Sequence, residues 1–211
     1  PVDLSFFKAG NLWKAGDVRY EDVDGDGAVN PGKGTLEDHG DLVVIGNATP
    51  RFSFGINLSA GYKGLEVAAL VQGVGKRDFP MAGSTYLFGG RNYFKDHLDR
   101  FSPENPSGWL PRLTDGTGSG DLDWKVNTGY NTSRYLLNGA YVRLKNLMVS
   151  YSFSGNVLGK LRLRDLKIYV SCDNLLTLDA LPGAFDPETM NIVSTWAGGS
   201  LSAAPGLTSA L

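Results

Sequence analysis

The sequence predicts an all-β fold in which long antiparallel strands form part of the wall of a transmembrane β-barrel and are joined by long extracellular loops. Side-chain character alternates with a period of two over several stretches, as in strands with two different faces. These stretches reach the length of about nine to eleven residues that a tilted strand needs to cross a bilayer, whereas strands of globular proteins usually have about five or six. Short connections also alternate with long ones, as in barrels with short periplasmic turns and long outer loops.

The composition agrees with this class and excludes others. The 211 residues include 28 glycines and 11% aromatic residues, which suit tight turns and the aromatic girdles of membrane interfaces. A net charge of -2 without a cluster of basic residues argues against nucleic-acid binding. No apolar run reaches the length of about 18 residues expected of a transmembrane helix. The single cysteine, Cys172, falls among the apolar residues of its strand and is expected to pack there.

Residues 1–50 are predicted to form an acidic outer loop, because Gly, Asp and Asn are frequent and hydrophobic periodicity is weak. Within this segment, Asp22, Asp24 and Asp26 occupy the first, third and fifth positions of an EF-hand-type calcium loop. Carboxylates at this spacing converge on one hard cation, and Gly27 stands where such a loop turns sharply. The spacing therefore predicts a structural calcium ion.

The remainder of the candidate calcium shell departs from the usual pattern. Ala28 offers its backbone carbonyl at the seventh position and Asn30 its side chain at the ninth, but Lys33 replaces the usual bidentate Glu at the twelfth. Glu37, Asp38 or Asp41 could fold back and close the shell instead, and we expect Asp41 to do so. The alternative interpretation is an acidic, solvated turn without a bound metal.

A β-hairpin is predicted over residues 51–74. Its first strand alternates apolar with small polar residues, and Tyr62 to Gly64 form a tight turn into a returning strand, Leu65 to Val74. The apolar residues are Phe52, Phe54, Ile56, Leu58 and Ala60 in the first strand and Leu65, Val67, Ala69 and Val71 in the second.

Residues 75–138 are predicted to be a long outer loop, since Gly, Pro and Asn are frequent and compact soluble domains rarely contain connections of this length. Aromatic rings in such a loop can stack on sugars or hold a peptide. The candidate ligand contacts are Tyr86, Arg91, Trp109 and Trp124. The alternative is that these side chains pack among the outer loops or contact a protein that covers them.

A second hairpin is predicted over residues 139–176, with strands at 139–153 and 163–176. The apolar parity of its first strand changes near Lys145 and Asn146, which predicts a β-bulge or an exit from the bilayer. Residues 177–211 are predicted to form a further outer loop.

Several ordered stretches resemble the C-terminal region of SusC-like (SusC/RagA) TonB-dependent outer-membrane transporters. The matches cover nearly the whole chain, and their common order makes the resemblance more specific than any one of them. They are GDVRYED at 16–22, DVDGDG at 22–27, VIGN at 44–47, FSFGINL at 52–58, FSPENP at 101–106, PRL at 111–113, YVRLKN at 141–146, YVSCDNLLT at 169–177 and DPE at 186–188.

This resemblance implies a location in the bacterial outer membrane and a barrel of about 22 strands, plugged by an N-terminal domain. It implies uptake of oligosaccharides or peptides driven through the TonB complex, with a SusD-like surface lipoprotein covering the barrel. Outer-membrane lipid would surround the strands. The plug and the last strand are expected to lie outside this chain.

No enzyme is predicted, because His39 and His97 lie in loops and no G-x-S-x-G elbow accompanies them. One alternative function remains at this point. It is a soluble extracellular β-sandwich that is stabilised by calcium and serves in binding or adhesion.

Overall fold

The computed structural model describes residues 2–7, 12–81, 94–114, 121–123, 125–153, 155, 158–159 and 163–189. The chain divides into two compact units. The loop unit comprises Pro1–Thr49, Asp78–Leu137 and Pro182–Leu211, and the sheet unit comprises Pro50–Arg77 and Asn138–Leu181. Within the described ranges, no helix has both the length and the apolar character needed to cross a membrane.

Strands dominate the regular structure, which confirms the all-β class. In chain order they are β1 (Ser53–Tyr62), β2 (Leu65–Val74), β3 (Asp78–Pro80), β4 (Leu136–Asn138), β5 (Tyr141–Ser152) and β6 (Lys167–Asp179). An antiparallel four-stranded sheet has the order β1-β2-β5-β6, and β3 and β4 form a separate two-stranded sheet. Short helical turns occur at Ser5–Phe7, Lys95–Leu98, Lys125–Gly129 and Ser133–Tyr135. The described strands form an open sheet, not a closed barrel.

Both predicted hairpins are present, but the last strand is displaced along the sequence. It was expected at 163–176 and begins instead at Lys167. The backbone N–H of Leu163 donates locally to the carbonyl of Leu158 at 3.1 Å, so this part of the chain is turned away from the ladder. At the other end the strand continues to Asp179, because Asp179 still pairs with Tyr141.

One face of the four-stranded sheet is apolar across five consecutive rows of paired residues, which we call the apolar sheet face. Directly opposed residues in antiparallel strands point to the same side, so the register alone defines this face. Many of its large side chains are exposed, up to 71% for Tyr62. From the tight turn outward, the rows are Tyr62, Leu65, Tyr151 and Ile168; Ala60, Val67, Val149 and Val170; Leu58, Ala69, Leu147 and Cys172; Ile56, Val71, Leu144 and Leu176; and Phe54, Gly73, Val142 and Leu178.

The opposite face is mostly polar, and its side chains link β5 to its neighbour β6 and also, across β5, link β2 to β6. These cross-strand contacts fix the register on the polar side. They join Lys167 Nζ to Glu66 Oε2 at 2.8 Å, Asn146 Nδ2 to Asp173 Oδ1 at 2.7 Å, and Arg143 Nε to Thr177 Oγ1 at 2.8 Å.

A β-bulge at Lys145 explains how β5 keeps one apolar face although its sequence changes parity. The pairing with β6 passes from Leu144 to Asn146 and omits the residue between them. Leu144 and Leu147 therefore lie on the same face despite their odd spacing. On β6, Asn174 adopts a left-handed conformation, with φ of 53°, opposite this position. The predicted place of the irregularity is confirmed.

The turn between β1 and β2 has the geometry that such a short hairpin requires. Lys63 and Gly64 have φ values of 46° and 88°, as in a type I′ turn, whose twist matches that of the flanking strands. A Cβ atom at Gly64 would also lie 2.5 Å from the carbonyl oxygen of Ser152. Glycine is therefore required here for two separate reasons.

The loop unit has a hydrophobic core, although its sequence was predicted to be outer loops. Phe7 stacks on Tyr20 with ring centroids 4.5 Å apart. The Tyr20 hydroxyl donates to the carbonyl of Val126, and burial raises the pKa of Tyr20. These loops are thus held by packing of distant segments with little regular structure. The buried core residues are Phe7, Val18, Tyr20, Val29, Met81, Leu110, Leu122, Val126 and Tyr135.

Candidate functional site

Three of the predicted calcium ligands converge in the acidic loop. Asp22, Asp24 and Asp41 each offer a carboxylate oxygen, and these oxygens lie within 4.8 Å of one another. Asp41 is fully buried, Asp22 is half-buried and Asp24 is exposed. We call this group the acidic cluster. Close carboxylates repel one another, and a hard cation with oxygen ligands would offset that repulsion.

The backbone folds around Asp22 and thereby forms one side of the cluster. Its two carboxylate oxygens accept hydrogen bonds from the N–H groups of Gly25, at 2.7 Å, and Gly27, at 2.9 Å. Both glycines have positive φ, 77° and 89°. A side chain at either position would strain this conformation, which explains the glycines of the DVDGDG motif.

Asp41 forms the other side, after a connection that leaves the loop and returns. Its carboxylate accepts hydrogen bonds from the N–H groups of Val23, at 2.5 Å, and Asn30, at 2.7 Å. Its own N–H donates to the carbonyl of Asn30 at 2.9 Å. The structure thus brings the Asp41 carboxylate back to the start of the motif.

The other three predicted ligands are engaged locally. Asp26 is not among the convergent carboxylates, and its Oδ1 accepts from the N–H of Ala28 at 2.8 Å. The carbonyl of Ala28 accepts weakly from Asn30 Nδ2 at 3.4 Å, and Asn30 Oδ1 accepts from the N–H of Gly32 at 2.8 Å. The described donor set that fits a hard cation is therefore Asp22, Asp24 and Asp41.

Of the predicted ligand contacts, Trp109 is the one that the structure describes. It is half-buried and packs edge to face on Tyr135, with ring centroids 5.7 Å apart. Its carbonyl accepts a hydrogen bond from Arg134 at 2.7 Å. Tyr86, Arg91 and Trp124 lie outside the described residues.

The loop unit also contains a network of charged residues that was not predicted from the sequence, which we call the Arg112 network. Arg112 Nε lies 2.7 Å from Asp17 Oδ1, and Arg112 Nη1 lies 2.7 Å from Asp121 Oδ1. Asn127 Nδ2 donates to Asp17 at 2.7 Å, and Lys14 Nζ approaches Asp121 at 3.4 Å. The Asp17 side chain is only 2% exposed, so its charge depends on these partners.

The pKa values in the Arg112 network reflect this pairing. Burial acts to raise the pKa of Asp121, but hydrogen bonds from Arg112 and from the N–H of Leu122, with the charge of Arg112, hold it below its ordinary value. Burial likewise acts to lower the pKa of Arg112, but Asp17 and Asp121 raise it overall. A carboxyl group whose pKa is lowered by folding stabilises the folded state at pH values above its unfolded-state pKa, which is about 4. This stabilisation is lost as the pH falls through the pKa of the folded state.

Comparison with curated proteins finds relatives of one kind. The chain is 33% identical over 170 residues to "TonB-dependent receptor P3" of Formosa agariphila, which covers 80% of this chain and 15% of that protein. It is 27% identical over 179 residues to "TonB-dependent receptor P26" of the same organism, covering 83% and 16% respectively. The chain thus spans about 15% of the length of these relatives. No family model matches it.

Solved structures give a partial likeness. The chain is 25% identical to a chain of the RagAB peptide transporter, with a TM-score of 0.49, covering 67% of this chain and 15% of that one. For the RagAB peptide importer in the "closed-closed" state, the identity is 26% and the TM-score 0.47, with 72% and 16% covered.

Proposed function

This chain belongs to the TonB-dependent receptors of the Gram-negative outer membrane, and from that premise we propose that it forms part of the barrel wall and outer loops of a SusC-like importer. The importer takes up oligosaccharides or peptides. It acts with a SusD-like surface lipoprotein, and the TonB complex supplies the energy. No catalytic chemistry is part of this role.

The observation that carries the proposal is the two-faced sheet. Five rows of apolar side chains, many of them exposed, would be unfavourable in water but are suited to lipid, whereas the opposite face offers carboxylate, amide and ammonium groups. Along the strands, the rows span about 27 Å at roughly 3.3 Å per residue. With a barrel tilt of about 40°, this length covers about 20 Å of height, which is most of an apolar band about 25 Å tall.

Aromatic residues stand at both ends of this band. Tyr62 and Tyr151 occupy the row beside the tight turn, and Tyr151 lies edge to face with Phe153 at 5.0 Å. Phe54 occupies the row at the other end. Aromatic side chains flank the apolar band of membrane barrels in the same way, and a tyrosine there can keep its ring in the apolar region and its hydroxyl in water.

The sheet order supports a segment of wall that continues in both directions. Each of β1 and β6 has one described neighbour, so one edge of each remains available to further strands. A four-stranded sheet is too small to close a barrel. We therefore place the neighbouring strands in other parts of the receptor.

Spin labelling tests the orientation of the sheet. In a receptor whose other cysteines are replaced by serine, we expect a nitroxide on Cys172 to be relaxed strongly by oxygen, which concentrates in lipid, and weakly by a water-soluble nickel complex. Ser171→Cys, combined with Cys172→Ser, should give the opposite ratio because residue 171 lies on the polar face. The readout is the ratio of the two relaxation effects.

Equal access of the nickel complex to both labels would contradict a lipid-facing position for Cys172. The alternative of a soluble calcium-stabilised sandwich would pack this face against a second sheet, so it predicts weak relaxation of the Cys172 label by oxygen as well as by nickel. It is not favoured, since the curated relatives are receptors and the apolar sheet face is exposed.

We also propose that the acidic cluster binds a structural calcium ion through Asp22, Asp24 and Asp41. The support is the convergence of three carboxylates, one of them fully buried, around one point. Such an ion would neutralise the cluster and tie the motif to the returning segment that contains Asp41.

Calcium is expected to increase the resistance of the acidic loop to proteolysis in the intact receptor, because binding stabilises the folded loop by mass action. Asp24→Ala should abolish this protection by removing a cluster ligand. Asp26→Ala removes the same charge from the same motif but lies outside the cluster, so it should retain most of the protection. Limited proteolysis with calcium or with chelator measures the effect. Equal behaviour of wild type with and without calcium would contradict the proposal.

A further inference from the structure

Arg134 is held in a fixed position on the loop unit by neutral acceptors. Its Nη2 donates to the carbonyls of Trp109, at 2.7 Å, and Gly108, at 3.4 Å. Its Nε approaches the hydroxyl of Tyr135 at 3.4 Å, and its guanidinium lies 5.7 Å from the centre of that ring. These contacts engage one edge of the guanidinium and set its direction.

No carboxylate among the described residues forms an ion pair with Arg134. Arg112, on the same unit, provides the contrast because it binds two carboxylates at 2.7 Å. Carbonyl groups orient a guanidinium without neutralising it, and the exposed Arg134 therefore keeps a full positive charge at a defined place. The charge of Arg112 is neutralised by structural ion pairs, whereas the positive charge of Arg134 is available to a ligand.

The surroundings of Arg134 add a second cation and an aromatic surface. Burial raises the pKa of Tyr135, and the nearby positive charges of Arg134 and Arg100 act to lower it. Arg100 therefore lies close to the same ring. Arg100 itself donates from Nη1 to the carbonyl of Pro111 at 2.9 Å. The half-buried Trp109 ring packs on Tyr135 and keeps part of its surface open. A fixed positive charge thus adjoins a rigid aromatic side chain.

We propose that Arg134 and Trp109 form a subsite for a carboxylate-bearing residue of the imported oligomer. The Nη1 group, whose two N–H bonds are not used in the contacts above, donates to the carboxylate, and the indole covers the apolar part of the same residue. The inference rests on the proposed import function and names the chemical class of cargo. The carboxylate is that of a uronic-acid sugar or of an acidic peptide.

Rigidity is the physical reason for expecting binding here. A free arginine loses side-chain entropy when it grips a ligand, whereas Arg134 is already ordered by Trp109, Gly108 and Tyr135. A hydrogen bond to a charged group is also stronger than one between neutral groups. Removing the charge should therefore weaken carboxylate binding about tenfold or more.

The test uses the intact receptor, purified with any lipoprotein that accompanies it, and isothermal titration calorimetry. The probes are an oligogalacturonate and its methyl ester, and an acidic peptide and its amidated form. We expect one acidic probe to bind more tightly than its neutral partner. Arg134→Gln should remove that preference by weakening binding of the acidic probe more than binding of the neutral one. Which acidic probe shows the preference identifies the source of the carboxylate.

Lys125→Gln is the matched control, because it removes one exposed positive charge from the same unit. It should leave the preference intact, and Arg134→Lys should keep part of it. Folding of each variant is checked by its mobility on gels with and without heating. If Arg134→Gln does not fold, Arg134→Lys provides the comparison.

Equal binding of acidic and neutral probes by the wild type would overturn the subsite and leave the import function standing. Binding of none of the probes would count against both. Loss of the lipoprotein from Arg134→Gln, with the preference for acid unchanged, would overturn the subsite and assign Arg134 to a protein contact.

Discussion

Val170→Arg is expected to prevent most of the receptor from reaching its folded state in the outer membrane. Val170 lies one row from the middle of the apolar sheet face and is 66% exposed there. An arginine near the middle of the bilayer costs about 2–4 kcal/mol on the lipid face of a barrel. That cost is a large fraction of the stability of many folded proteins. The measurements are the amount of receptor in the outer-membrane fraction and its heat-dependent gel mobility.

Ser171→Arg provides the matched control for this change. Ser171 is the next residue of β6, is also exposed, and points to the polar face. The same arginine there should be tolerated, because that face already carries Lys167 and Glu66. Equal loss of folded receptor in both variants would contradict the assignment of the two faces.

Arg112→Met is expected to destabilise the loop unit by about 3 kcal/mol, near the lower end of the range for breaking a buried ion pair. Methionine fills most of the volume of the arginine stem but leaves Asp17, which is only 2% exposed, without its cation. Asn127 and the N–H of Lys14 still donate to Asp17, and this limits the loss. The measurement is the temperature at which trypsin begins to cut the loop unit at pH 7.

Two further variants separate charge from packing in the Arg112 network. Asp17→Asn combined with Arg112→Met removes the buried Asp17 charge together with its cation and should recover part of the lost stability, since Asp121 keeps Lys14 at 3.4 Å. Lys167→Met breaks an ion pair of similar length, 2.8 Å, between side chains that are 46% and 48% exposed. Its effect should be too small to measure, because water screens the pair. A large effect of Lys167→Met would contradict burial as the decisive factor.

The strands could be predicted from the sequence because apolar and polar residues alternate along them with a period of two. Alternation from Phe52 to Ala60 and from Leu65 to Val71 gave the first hairpin, and the parity change gave the bulge at Lys145. The predicted start of β6 at Leu163 was wrong, and the strand begins at Lys167. Alternation does not reveal that the N–H of Leu163 donates to the nearby carbonyl of Leu158. Local hydrogen bonds can compete with a strand without changing the pattern.

The loop unit could not be predicted in the same way. Its core joins residues such as Phe7, Tyr20 and Tyr135, which are distant in sequence and follow no period. Arg112 and Asp17 are 95 residues apart, and each alone resembles an ordinary surface charge. Asp41 could be anticipated because the calcium-loop pattern lacked a ligand at a known position. The position of Asp41 could therefore be anticipated from a motif, whereas residues joined only by packing leave no pattern in the sequence.

The bulge at Lys145 has a consequence for how this strand can change over evolutionary time. One added residue in a straight strand exchanges its two faces, and here a single added residue is absorbed by β5 without turning Leu144 toward the polar side. An insertion or deletion in β5 therefore preserves the two faces if it involves two residues. A change of one residue preserves them only where the bulge itself is gained or lost. A homologue with a regular strand would align with this chain through a one-residue gap at Lys145. Regular strands of such a wall can therefore change length only by even numbers of residues, whereas the bulge is the position at which one residue can be added or lost.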